Sequence, residues 1–127
     1  MPIVKVHRYV RADAQSNPKA LFIFGDNDLR EGYGGQAGEM RGEVRAGGVR
    51  TKWTPGGARE DYFSDREYER CTSMIQQDLE PVREHLEKGG VVVVPADGVG
   101  TGLSRLPEKA PRIQAFIDEQ LLELEDL

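Results

Sequence analysis

The sequence predicts an α/β fold built on a mostly parallel sheet. Segments with strand character alternate with segments of helical periodicity, which is typical of that class. Two short runs, ALFIFG at residues 20–25 and VVVVPA at residues 91–96, are continuously apolar, as strands covered on both faces are. Each run leads into a glycine-rich loop. A chain of 127 residues is long enough for one domain and too short for two, so we expect residues 1–127 to form a single domain.

The predicted elements follow the order strand, strand, helix, strand, helix, strand, helix. Strands are expected over residues 3–10, 20–25, 48–53 and 91–96. Helices are expected over residues 35–48, from Ser64 to Leu86, and from Pro107 onward. The second helix has the clearest signal, because Ser64 and Glu67 have the spacing of a capping box. Pro81 lies inside it, and we expect this proline to kink the helix or split it.

Composition and charge exclude several classes of protein. The net charge of −5 argues against non-specific binding to long nucleic acid, which favours basic surfaces. The single cysteine, Cys71, provides neither a disulfide framework nor a zinc quartet, and it fits a reducing compartment. Charges interrupt the apolar runs of the N-terminal segment, which is therefore not a signal peptide. No stretch approaches the roughly 20 apolar residues of a membrane span. We expect a cytoplasmic protein with no membrane partner.

The two glycine-rich loops are the strongest functional signal. They follow Phe24 and Pro95, at the carboxyl ends of predicted parallel strands, where ligands bind in open α/β sheets. Glycines let the backbone approach a ligand and direct N–H groups at an anion, above all a phosphate. The loop DGVGTGLS lacks the Gly-Lys-Ser/Thr ending of a Walker loop and the spacing of the dinucleotide fingerprint. The alternative is that both loops only make turns.

Several segments, in the same order along the chain, resemble a macro domain. The segment VVVVPADGVGTGLSRLPEKAPRIQAFIDEQL, residues 91–121, is similar to the strand, diphosphate loop and helix at the C-terminal end of that family. GTGLSRLPE within it is nearest to the branch of terminal ADP-ribose glycohydrolases and of antitoxins that remove ADP-ribose from DNA. GDNDLREGYGGQAGEMRG, GVRTKW and YERCTSMIQQDLEPVREHLEKGG resemble earlier segments, and the likeness covers roughly residues 21–121. FGDN followed by GYGGQA is also similar to small uncharacterised phage and bacterial proteins.

The resemblance implies a three-layer α/β/α fold with a mostly parallel mixed sheet and a site for an ADP-ribose-type nucleotide. The residues that match the diphosphate loop are Gly98, Gly100, Thr101, Gly102, Leu103 and Ser104, with Arg105 placed to offset phosphate charge. Asn27 matches the asparagine beside the distal ribose, and Asp26 flanks it. Gly34, Gly35 and Gln36 match the glycine run that precedes a helix.

Lys52 matches the lysine that attacks the anomeric carbon of the distal ribose in the hydrolase branch. That chemistry requires a deprotonated amine. The branch also uses an aspartate in the last loop, where this chain has Ser104, and a serine cannot serve as a carboxylate base. Asp97 is our candidate to replace it, and Asp26 and Asp28 are others. Asp26 and Asp28 could also hold Mg²⁺, but such a stretch is more often a solvated loop, and we expect no metal and no cofactor.

Three functional hypotheses follow. In the first, which the presence of Lys52 favours, the protein is an ADP-ribosyl glycohydrolase that cleaves the bond from ADP-ribose to a protein, a nucleic acid or a small group. In the second, which Ser104 favours, the same pocket binds ADP-ribose or a related nucleotide without turning it over. In the third, the glycine loops are structural and the protein acts through a protein partner.

Overall fold

The computed structural model describes residues 3–127 and confirms the α/β fold. The strands are β1 (Ile3–Val6), β2 (Ala20–Asn27), β3 (Ala46–Lys52) and β4 (Val91–Pro95). The α-helices are α1 (Arg11–Ser16), α2 (Ala37–Met40), α3 (Tyr68–Glu87), α4 (Leu106–Lys109) and α5 (Pro111–Glu125). Two single turns of 3₁₀-helix, Arg59–Asp61 and Asp65–Glu67, lie between β3 and α3.

The four strands form one sheet in the order β1-β4-β2-β3. Every pairing among them is parallel; Val92 of β4 lies opposite Ile3 on one side and Leu21 on the other. We expected a mixed sheet. Within residues 3–127, the one antiparallel contact is an isolated bridge between Lys52 and Tyr62. All four strands therefore end at the same edge of the sheet.

Helices cover both faces of the sheet, which gives three layers. Strand residues alternate between the faces, as their period of two requires. Val92 and Val94 contact the core formed with α3 and α5, which includes Ile75 and Ile117. Val93 belongs to a smaller core on the opposite face, with Phe22, Phe24, and residues of the short helices α1 and α2.

The N-terminal strand is shorter than predicted, and a helix that the sequence analysis missed follows it. β1 ends at Val6, and α1 begins at Arg11, where the side chain of Asp13 accepts a hydrogen bond of 2.8 Å from the Val10 N–H. The helix expected over residues 35–48 is only one turn long. Gly42 ends that region in the left-handed conformation, with φ of +90°, and β3 begins soon after.

Proline has a different effect in the two long helices. α3 continues through Pro81 as one element, with that ring on the exposed side. The helix expected from Pro107 is instead divided into α4 and α5 at Ala110. Pro111 is the first residue of α5 and disfavours helical backbone at the residue before it, which has φ of −151°. Among residues 3–127, no helix is long and apolar enough to cross a membrane.

The only cysteine gives a direct test of this core. Cys71 is fully buried in α3, and burial raises the pKa of its thiol to about 12. Because the thiolate is the reactive form, we expect no reaction with a thiol-specific disulfide reagent in native buffer and complete reaction in denaturant. Complete labelling within minutes in native buffer would contradict this packing.

Candidate functional site

The carboxyl ends of β2 and β4 form a topological switch point. These strands are neighbours, but the chain leaves them towards opposite faces of the sheet. After β2 it passes to α2, which packs on the face with Phe24, and after β4 it passes to α5, which packs on the face with Val94. The two outgoing loops diverge and leave a crevice between them, which is the place where open α/β sheets bind ligands.

This crevice is a cleft with two lobes that meet at four residues. A lobe of about 140 Å³, the lysine lobe, contains Lys52 and Asn27. A lobe of about 250 Å³, the glycine lobe, contains Gln36, Asp97 and the loop after β4. The residues that line both lobes are Gly25, Gly34, Leu103 and Ser104. A Cβ atom at Gly34 would lie 2.7 Å from Leu103 Cδ1, so the glycine allows the two loops to touch.

In the loop after β4, several carbonyls have hydrogen-bond partners within the protein and most of the N–H groups do not. Four loop carbonyls already accept hydrogen bonds from within the protein: those of Gly98, Val99, Gly100 and Gly102. The six consecutive N–H groups of residues 99–104 donate to no acceptor within residues 3–127. Gly98 and Gly100 allow this arrangement, because their φ values of +97° and +90° are disfavoured for other residues. These N–H groups are therefore not used by the protein, and successive free backbone donors of this kind can bind anions.

The hydroxyl groups beside this loop are oriented by the protein itself. Thr101 Oγ1 donates to the Gly98 carbonyl at 3.1 Å. Thr51 Oγ1 donates to the Asp26 carbonyl at 3.1 Å and is also hydrogen-bonded to Ser104 Oγ. A hydroxyl carries one proton, so Ser104 is the donor to Thr51 and offers only lone pairs to the cleft. Neither Thr101 nor Ser104 has a hydroxyl proton free for a phosphate oxygen, and an anion here would depend on backbone N–H groups.

A buried ionic network supports the other wall of the cleft. The Asp26 carboxylate, whose side chain is 3% exposed, accepts hydrogen bonds from Arg41 Nη2 at 2.5 Å and Arg30 Nη1 at 3.1 Å. Arg41 also donates to the carbonyls of Glu31 and Gly32. The network thus ties the loop after β2 to the strand and fixes the position of the glycines that follow it.

The network extends to α3 through Asp78. Arg30 Nη2 donates to Asp78 at 2.7 Å, and Arg50 donates to the same carboxylate at 3.0 Å. The hydrogen bond with Asp78 is the main reason that the pKa of Arg50 is raised. Arg50 also pairs with Asp28 at 3.1 Å, so both acids that flank Asn27 are held by arginines rather than left free.

Asn27 and Gln36 both line the cleft but are partly occupied by their own backbone. Asn27 Nδ2 donates to the Glu31 carbonyl at 2.7 Å, which closes the turn after β2. Gln36 Nε2 donates to the Tyr9 carbonyl at 2.5 Å and ties the start of α2 to the segment after β1. Each amide keeps a second N–H, because one primary amide provides two donors. Asn27 Oδ1 accepts a hydrogen bond of 3.4 Å from the Glu31 N–H and retains one lone pair, and the Gln36 oxygen remains an acceptor.

Lys52 is buried at the end of β3, with 7% of the residue exposed. Its Nζ donates to the Gly56 carbonyl at 2.5 Å and lies 4.5 Å from the centre of the Tyr62 ring. The carbonyl and the ring fix the position of Nζ at the lysine lobe, and further N–H groups of Lys52 remain for a ligand.

The other two charged candidates do not line the lysine lobe. Asp97 lines the glycine lobe, whereas Lys52 lines the lysine lobe. Asp97 Oδ1 lies 3.9 Å from Nδ1 of His7. Arg105 lines neither lobe, and its guanidinium forms a close pair with Glu108 in which Nη2 lies 2.6 Å from Oε2. Within residues 3–127, no three His, Cys, Asp or Glu side chains converge as a metal site requires.

The family comparison covers most of the chain, including both walls of the cleft. The model of a family of unknown function, DUF7831, matches residues 4–120. The chain belongs to the DUF7831 family. No curated protein and no solved structure gives a significant match to the chain.

In this DUF7831 protein, three residues that shape the cleft carry no local sequence signal. Arg41 is 15 positions from Asp26, and Thr51 is 53 positions from Ser104. Gln114, on α5, donates to the Val99 carbonyl of the glycine loop. Each acts on a partner that is distant in sequence, so only the fold brings the pairs together.

We expect Asp26→Ala to destabilise the protein by about 3–5 kcal/mol, because it leaves Arg41 as a largely buried charge without its carboxylate. Urea unfolding measures the change. The control is Glu108→Ala, which breaks an exposed pair and should cost no more than about 1 kcal/mol. Equal, small effects for both variants would show that the Asp26 network does not hold the loop.

The glycine loop offers a matched pair of substitutions. At Gly100, a Cβ atom would lie 2.5 Å from Leu106 Cδ1 in a backbone with φ of +90°, so Gly100→Ala should cost more than about 1 kcal/mol from strain alone. Gly102 has no atom within 4 Å of the added Cβ, and Gly102→Ala should be neutral or stabilise by up to about 1 kcal/mol. Thermal unfolding compares them, and the reverse order would contradict the loop conformation described above.

Proposed function

We propose that the cleft binds an ADP-ribose-type nucleotide, with the diphosphate on the loop after β4. The observation that carries this proposal is the run of six N–H groups, residues 99–104, that have no protein acceptor. They lie at the switch point of a parallel sheet, and the loop sequence is similar to the diphosphate loop of macro domains. A diphosphate is long enough to accept from several successive donors, which a single carboxylate is not.

The lysine lobe suits the sugar end of such a ligand. Ser104 presents lone pairs, and Asn27 presents both a donor and an acceptor, which together fit a ribose diol. The remaining donors of Lys52 can bind a ring or hydroxyl oxygen. Because Ser104 offers only lone pairs here, we assign phosphate to the glycine lobe and sugar to the lysine lobe.

Binding without turnover is the function that these contacts favour. Lys52 Nζ is held by the Gly56 carbonyl, and Asp97 lies in the other lobe, so the two groups do not face one reacting atom. Hydrolysis of an ADP-ribosyl bond is the second candidate, because Lys52 does line the lobe assigned to the sugar. In that case the bond cleaved would join the anomeric carbon to a protein, a nucleic acid or a small group.

Calorimetric titration of ADP-ribose tests the proposal, with AMP and ribose 5-phosphate as controls. We expect micromolar affinity for ADP-ribose and much weaker binding of the two fragments, since neither fragment contains the diphosphate. At 100 times the dissociation constant, ADP-ribose should add about 2.7 kcal/mol to the free energy of unfolding and raise Tm by several degrees. No heat and no Tm change at millimolar ADP-ribose would overturn the proposal.

Substitutions at Gly102 test whether the loop N–H groups bind the ligand. Gly102→Pro removes one loop N–H, whereas Gly102→Ala keeps it, so only the proline variant should bind more weakly.

Lys52→Met, assayed with an ADP-ribosylated peptide and with ADP-ribose, separates the two candidate functions. Loss of ADP-ribose release with retained affinity would favour the hydrolase, and absence of release from the wild type would leave the binding module.

A further inference from the structure

Gln114 on α5 is a buried polar residue behind the glycine loop, and it is incompletely paired. It is 7% exposed, and its Nε2 donates to the Val99 carbonyl at 3.1 Å and to Asp118 Oδ1 at 3.0 Å. Its Oε1 is the one buried side-chain oxygen or nitrogen within residues 3–127 that has no hydrogen-bond partner. Buried polar atoms are nearly always paired, so this exception requires a physical reason.

The orientation of the Gln114 amide follows from its neighbours. Both hydrogens of Nε2 have oxygen acceptors, the Val99 carbonyl and the Asp118 side chain. Rotating the amide by half a turn would place Oε1 against those two oxygens and lose both bonds. The unpaired Oε1 is therefore the consequence of keeping a donor on the Val99 carbonyl.

That donor determines where the next N–H points. A trans peptide is planar, with its carbonyl and N–H directed to opposite sides. Because Gln114 holds the Val99 carbonyl towards α5, the Gly100 N–H points away from α5. A Cβ atom added at Gly25 would lie 3.7 Å from the Gly100 nitrogen, so this nitrogen lies beside a residue that lines both lobes of the cleft.

We infer that Gln114 is a positioning residue that holds the Val99–Gly100 peptide with its N–H directed into the cleft. The effect on ligand affinity rests on the function proposed above, whereas the peptide orientation can be tested in the free protein. An apolar side chain of similar length would fill the same space without leaving an oxygen unpaired, so core packing alone does not account for a glutamine here.

The test uses Gln114→Met, with Gln120→Met as the matched control on the same helix. Proton NMR of the free protein should show a nuclear Overhauser contact between the Gly100 amide proton and a Gly25 α-proton in the wild type and in the control. In Gln114→Met we expect this contact to weaken or vanish while Tm stays near that of the control. The same contact at full strength in Gln114→Met would overturn the inference.

Affinity gives a second readout, which separates failure of this inference from failure of the proposed function. If the wild type binds ADP-ribose, Gln114→Met should bind it roughly tenfold or more weakly, the effect of losing one hydrogen bond to a charged group. Unchanged affinity would overturn the role of Gln114 and leave nucleotide binding intact. If the wild type binds no ADP-ribose but the Overhauser contact depends on Gln114, the proposed function fails and the positioning role stands.

Discussion

A carboxylate that is almost completely buried must be paired, and the requirement to pair Asp26 organises the ligand-facing edge of this protein. Arg41 and Arg30 satisfy it, and in doing so they connect three pieces of chain. Arg41 holds the loop after β2 through its carbonyls, and Arg30 links that loop to α3 through Asp78. Gly34 and Gly35, which lie against Leu103, follow directly after the part of the loop that Arg41 holds. The geometry of the cleft thus depends on charged side chains that are already paired with one another.

The opposite wall is organised by backbone rather than by charge. In the loop after β4, the carbonyls are bound to α4, α5 and the loop itself, and this leaves the N–H groups of residues 99–104 directed elsewhere. Hydroxyls at Thr101 and Ser104 donate inward, so they reinforce the loop instead of adding donors. A net charge of −5 does not conflict with the proposed anion site, because backbone N–H groups can bind an anion without a surplus of lysine and arginine.

The sequence was sufficient for the fold and for the location of the cleft, because both depend on local patterns. Continuous apolar runs identified β2 and β4, and the glycine loops that follow them line the cleft. Helix bounds were less accurate where local signals competed: α2 is shorter than its apolar spacing suggested, and Pro111 divides the last helix. The supporting residues Arg41, Thr51 and Gln114 could not be identified, since their partners are distant in sequence. The ligand and the role of Lys52 remain predictions from resemblance, and the role of Asp97 remains a prediction from its position in the loop after β4.

The most direct measurement is a map of backbone amide shifts as ADP-ribose is added to isotopically labelled protein. The account predicts that the largest changes fall on the amides of residues 99–104 and on the facing glycines Gly34 and Gly35, with little change along α3. Pyrophosphate alone should move the amides of both groups, because Gly34 and Gly35 also line the glycine lobe. Changes confined to residues outside the cleft, or scattered over the surface, would contradict a diphosphate site at the switch point of the sheet.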